Sequence, residues 1–198
     1  MKKLLKIILA TFACLLILSA CGKQQQSDEN KKPLKVPSLS SAFDTSGISL
    51  QKYDNIKVST NQLKGGSSKD NLMKSLGKPY HTSDTKLTNN QNAKEYTWHL
   101  GNDAKIKYIF AIVYKDKILS KGYQQNTSSK LVKKQTINDL KKGTSYNEVI
   151  NKLGSPLAEQ ISDGVQFLTY QNDQNGNAVN LTFKNNNLDN KKFTKLNG

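Results

Sequence analysis

Cys21 is the residue whose type and setting point most directly to chemistry. It closes Leu18-Ser19-Ala20-Cys21-Gly22, behind a basic stretch (Lys2, Lys3, Lys6) and an apolar run from Ile7 to Leu18. Small residues at 19 and 20 fit a narrow peptidase cleft. The Cys21 thiol is then the nucleophile that accepts a diacylglyceryl group, so the segment reads as a bacterial lipobox. The apolar run is too short to persist as a spanning helix. Residues 1–20 are therefore expected to be a removable lipoprotein signal peptide. The mature protein is expected to sit on the extracytoplasmic face of the cell membrane, held by its lipid.

Other reactive groups are sparse. The second cysteine, Cys14, lies in the leader. The mature chain thus keeps no free thiol for a disulfide, a nucleophile or a metal site. His81 and His99 are the only histidines. Either could begin a hydrolytic site beside Asp84 or Glu95. Yet His81 follows the helix-stopping Pro79, and His99 falls between Trp98 and Leu100 on an alternating strand. Both read as solvent-facing polar residues. No nucleophile elbow, zinc-protease helix, phosphate loop or acidic metal cluster is present. Asp173-Gln174-Asn175-Gly176-Asn177 lacks the carboxylates of a calcium loop and reads as a hairpin turn. No catalytic residue, metal or cofactor is expected, and the chain is not read as an enzyme.

Charge bounds the partners. The 198 residues carry a formal +15, and every basic residue is lysine. Without the leader, 27 lysines face 15 acids, a net of +12. Arginine's bidentate fork, the usual tool for reading bases and clamping phosphates, is missing, so no nucleic-acid partner is expected. A lysine coat is attracted instead to anionic lipid headgroups or wall polymers.

Behind Cys21, residues 21–50 are rich in Gln, Ser, Lys, Asn and Pro and are expected to form a flexible tether reaching about 30 Å. Beyond it the sequence repeats. Gly66 to Pro79 matches Gly143 to Pro156 at an offset of 77, with glycine, hydroxyl cap, apolar positions, Leu-Gly and proline in register. Tyr96-Thr97-Trp98 matches Leu168-Thr169-Tyr170, and Ile112-Val113-Tyr114 matches Leu181-Thr182-Phe183. Ser145-x-x-Glu148 is a capping box, and Val149, Ile150 and Leu153 follow at helical spacing. Gly154 and Pro156 stop that helix. A shorter helical segment spans residues 136–142. The expected fold is α+β, with two tandem units (51–125 and 133–198). Each would pack two short helices on a three- to four-stranded antiparallel sheet.

Strands are read at 94–100, 105–114, 166–171 and 178–184, with last strands near 118–124 and 188–193. In the long strand, Ile106, Tyr108, Phe110, Ile112 and Tyr114 recur at period two and are assigned to the core. Trp98 and Tyr170, aligned between copies, are assigned to packing against the helices. That leaves Lys107, Ile109, Ala111 and Val113 on the outer face, where the second copy has Ala178, Asn180, Thr182 and Lys184. An apolar outer stripe present in one copy alone marks a candidate interface.

The tandem pattern of short helix, capped helix, Leu-Gly-x-Pro and aromatic-rich sheet resembles the β-lactamase inhibitory protein superfamily. It is also similar to the one-copy lipoprotein of the outer-membrane assembly machine (SmpA/BamE type) and to two-unit lipoproteins of Gram-positive bacteria. The resemblance covers residues 51–198. It implies two helix-plus-sheet units whose sheets join side by side, and action by binding another protein without catalysis. The inhibitor's disulfides have no counterpart here. The expectation is a membrane-anchored, non-catalytic protein-binding module. The alternative is an envelope lipoprotein that associates with anionic wall polymer.

Overall fold

The computed structural model describes residues 48–60, 63–101, 104–128 and 130–196. The leader, Cys21 and most of the expected tether lie outside the described residues. Two helices, α1 (Leu50–Asp54) and α2 (Lys69–Leu76), precede four strands: β1 (His81–Lys86), β2 (Asn92–His99), β3 (Ile106–Tyr114) and β4 (Lys117–Gln125). The same order follows again with α3 (Lys134–Asn138), α4 (Tyr146–Leu153), β5 (Ala158–Ser162), β6 (Val165–Gln171), β7 (Asn177–Lys184) and β8 (Asn187–Lys195). All eight strands form one antiparallel sheet in sequence order, β1 to β8.

Local chemistry explains the boundaries. Ser68 Oγ accepts from Asn71 N at 3.2 Å to start α2. At α4, Ser145 and Glu148 exchange the two hydrogen bonds of a capping box. Gly77 (φ +74, ψ −165) and Gly154 (φ +83, ψ −169) end these helices in a region that only glycine occupies freely. The β3–β4 and β7–β8 hairpins turn through Lys115-Asp116 and Asn185-Asn186, all at positive φ, the backbone that matches strand twist in a two-residue turn.

All four of the described helices cover one face of the sheet. Tyr53, Leu72 and Leu76 pack with Trp98, Ile109 and Tyr123 in one core. Ile137, Val149 and Leu153 pack with Leu168, Tyr170 and Phe183 in a second. Trp98 and Tyr170 are buried as expected. Each also ties the sheet to a helix end: Trp98 Nε1 donates to Gly77 O at 3.1 Å, and Tyr170 OH donates to Gly154 O at 2.8 Å.

The outer-face assignment of β3 is corrected. Ile109, Ala111 and Val113 are 1 %, 0 % and 6 % exposed and belong to the first core. The cause is a β-bulge between Ile106 and Tyr108, where the β3–β4 register shifts at Lys107. One extra residue reverses the alternation, so Ile106 stays in the core while Tyr108, Phe110 and Ile112 turn to the opposite face. Lys107 itself is half-buried at the bulge, and its carbonyl accepts from Leu100 N at 3.0 Å.

β4 and β5 join the two halves, and their helix-side contacts are polar. Glu159, 6 % exposed, accepts from Tyr53 OH at 2.9 Å and from Tyr146 OH. One phenol thus comes from a helix of each half. Lys121 donates to Tyr53 O at 2.8 Å and stands 4.0 Å from the Tyr53 ring centre. Burial raises the Glu159 carboxyl above its ordinary value, opposed by the two phenol hydrogen bonds and the Lys121 charge.

Candidate functional site

The sheet face opposite the helices is the candidate site, and the bulge at Lys107 builds it. On β3 it presents Tyr108, Phe110 and Ile112. Cross-strand pairing places Gly122 beside Phe110 and Ser120 beside Ile112 on β4. On β5, Gln160 pairs with Gly122 on one side and with Phe167 of β6 on the other. Val165 and Thr169 flank Phe167. Phe110 and Ile112 are buried, while Tyr108, Val165 and Phe167 are half-buried. None of the described helices lies over them.

Gly122 is required by space. A Cβ there would stand 2.3 Å from the Phe110 ring and 2.5 Å from Glu159 O. The missing side chain lets the Phe110 ring settle across β4 at the join between the halves. Hydrogen bonds fix the polar neighbours. Tyr108 OH donates to Gln124 Oε1 at 2.8 Å, Thr169 Oγ1 to Asn180 Oδ1 at 2.9 Å, and Ser120 Oγ to Ile161 O at 3.1 Å. Gln160 is 4 % exposed, and its Oε1 has no donor among the described residues.

Charge is distributed unevenly over this face. Positions 108–112, 120–124, 158–162 and 165–169 direct no charged side chain to it. Charged groups stand at its margins: Glu95 on β2, and Lys184 and Lys192 on β7 and β8. Burial raises the Glu95 carboxyl, with His81 pulling the other way. Burial, and then Glu95, raise the Tyr108 phenol. A charge-poor aromatic centre with a polar rim is the composition of a protein-contact surface.

His81 and His99 lie exposed on β1 and β2, paired with Thr97 and Tyr108 respectively. Asp84 forms an ion pair with Lys94 at 2.8 Å. Asp173 accepts from Asn175 N, Asn177 N and Asn177 Nδ2, which makes it the organiser of its turn. Among the described residues, no group of His, Cys, Asp or Glu side chains could hold a metal ion. Cys21 lies outside the described residues. Sequence reading missed Phe110, Phe167 and Gln160 as face residues. The only signal for Phe110 was Gly122, which sits alone in an otherwise regular strand.

Residues 48–196 match a family described as a domain of unknown function with a solved structure, DUF3862. The chain belongs to the DUF3862 family. Among solved structures it is similar to a protein of Streptococcus mutans described as a "putative beta-lactamase inhibitor protein". The TM-score is 0.54 and the identity 24 %, over 75 % of this chain and 96 % of that one. At that identity the likeness establishes a shared fold. A search of curated proteins gave no match. The DUF3862 fold described here is therefore a mixed α/β architecture, with an eight-stranded antiparallel sheet and a few short helices on one side.

Proposed function

We propose that this DUF3862 chain is a non-catalytic protein-binding module, tethered to the extracytoplasmic face of the membrane by a lipid on Cys21. Its binding surface is the sheet face opposite the helices. The observation that carries this reading is the centre of that face, where β3 to β6 present Tyr108, Phe110, Ile112 and Phe167 among uncharged side chains, in a chain of +15 with Glu95 at the margin. The partner that fits is a protein presenting an apolar side chain flanked by neutral hydrogen-bonding groups. A strongly charged polymer does not fit the centre. The fold shared with a protein described as an inhibitor agrees with binding as the mode of action, without naming a target. The repeated element order and the matching helix ends support descent of the two halves from one unit, whose paired sheets supply a face wider than either alone.

The test combines site-specific photo-crosslinking with face variants. Cross-linkers at Thr182 and Ser83, on the open face, should yield an adduct with one protein that persists at raised salt. The adduct should be lost in Phe110→Asp and Phe167→Asp variants that still fold. Cross-linkers at Asn71 and Asn151, on the helices, should not yield it. Adducts from the helix positions alone would refute the assignment. Attachment that disappears with salt and ignores both Phe variants would favour the wall-polymer alternative. For the anchor, Cys21→Ala should release the protein or leave it unprocessed. A lipid-modified variant would end that part of the proposal.

A further inference from the structure

The other side of the molecule has the opposite character. Residues 48–79 and 130–156, which hold the four helices and their connections, contain twelve lysines and four carboxylates, a formal +8. All twelve lysines are exposed. The strand segments 80–128 and 157–196 together carry eleven lysines and eight carboxylates, a formal +3 over a longer stretch of chain. The protein is thus two-faced, with a basic helical layer and a sheet face whose centre carries no charge.

We infer that the helical layer is a docking surface for an anionic phospholipid bilayer, and that docking turns the open sheet face away from the membrane. Three observations carry this. The excess charge is exclusively lysine, whose compact ammonium suits the diffuse field of a headgroup layer better than a fixed bidentate site. The lysines are spread over both halves of the layer, from Lys69 and Lys74 on α2 to Lys141 after α3 and Lys152 on α4, which suits a flat extended partner. Finally, the described chain enters through α1, itself part of this layer, so an anchor N-terminal to it draws the basic side toward the lipid. The first two observations hold whether or not Cys21 is acylated, and the test removes the anchor.

The chain from residue 21 with Cys21→Ser is sedimented with vesicles of phosphatidylglycerol and, separately, of phosphatidylcholine. Two variants of equal net charge are compared: Lys69, Lys74, Lys141 and Lys152→Gln on the helical layer, and Lys105, Lys115, Lys184 and Lys192→Gln on strands and their loops, with Lys184 and Lys192 on the open face. Binding is expected on phosphatidylglycerol only, and it should fade at raised salt. The helical-layer variant should bind at least about tenfold more weakly, while the strand variant stays within about twofold of the parent. Amine labelling of the parent protein on vesicles should protect helical-layer lysines and leave Lys192 reactive, a readout independent of any variant's folding. Equal losses in the two variants would mean that net charge alone acts, and would overturn the proposal. So would no binding to phosphatidylglycerol, uniform labelling, or binding to soluble glycerol-phosphate polymer in place of vesicles. None of these results bears on Cys21 acylation or on the open face, which have their own tests.

Discussion

Raising the pH from 7 to 9 is expected to stabilise this fold, through Lys121. That side chain is 4 % exposed, with its ammonium against the Tyr53 carbonyl and ring. Burial lowers its pKa from 10.5 to about 8, although Glu159 and Asp54 pull it up. Between those values the unfolded chain keeps a proton that the folded chain has released, so stability rises with pH. Below pH 8 the lysine is charged in both states and the contribution is lost. The interval corresponds to about 3 kcal/mol. Contact with the Tyr53 ring favours the cation by roughly 1 kcal/mol, which leaves about 2 kcal/mol over the whole interval and about 1 kcal/mol of it by pH 9. The sign then reverses. Burial first, and Glu159 second, raise the phenols of Tyr53, Tyr146 and Tyr170 well above 10. Their contribution is complete below the unfolded value and is lost as pH climbs beyond it. Tyr108 and Tyr123 are raised by burial as well, and the five phenols together begin to offset Lys121 above pH 9, so a stability maximum near pH 9 follows. Urea unfolding at about pH 7, 8, 9 and 10 measures it directly. Lys121→Met should abolish the rise. A parent protein whose stability is flat or falling from pH 7 to 9 would refute this reasoning, as would a rise that survives in the Met variant.

Three further substitutions probe the fold and the face. Ile109→Lys buries a charge in the first core and should cost on the order of 4 kcal/mol in denaturant unfolding, where an interface position would cost almost nothing. Gly154→Ala should cost about 1–3 kcal/mol from backbone strain alone, since no atom lies within 4 Å of the added Cβ; an unchanged midpoint would contradict the positive φ. Gly122→Ala instead meets the Phe110 ring and the Glu159 carbonyl. A loss of about 1–3 kcal/mol should come with a shift in the side-chain NMR signals of Phe110, and an undisturbed ring would contradict the close approach.

Local rules made much of this architecture legible. The capping box at Ser145, the glycine stops at 77 and 154, and the apolar spacing of Val149 and Leu153 each depend on a few neighbouring residues, so a short stretch of sequence determines them. Strands β1 and β5 were not read because neither carries the alternating apolar signal. β1 is an edge strand, His-Thr-Ser-Asp-Thr-Lys, with one side chain row toward solvent and no second partner strand. β5 is paired on both sides, and it buries Glu159 and Gln160 where an apolar residue would be anticipated. Burial of Glu159 is explained by Tyr53 and Tyr146, which are 106 and 13 residues away in sequence. No local pattern announces such a partnership.

The choice of face on β3 fails for a different reason, and it decides where function is sought. Both of its alternating sets are apolar: Ile109, Ala111 and Val113 on one side, Phe110 and Ile112 on the other. Residue type therefore cannot say which set meets the helices. What can say it is the strand partner, since directly paired residues share a face. Trp98 pairs with Ile109 and Tyr96 with Ala111, so placing Trp98 in the core places Ile109 there too. Sequence reading had Trp98 correctly in the core. It lacked the register, because residues 100–105 between β2 and β3 allow more than one pairing, and Lys107 bulges immediately after them. A single unpaired residue thus exchanges core and surface over the whole strand. The same bulge that hides Ile109 under the helices sets Phe110 beside Gly122 on the open sheet face.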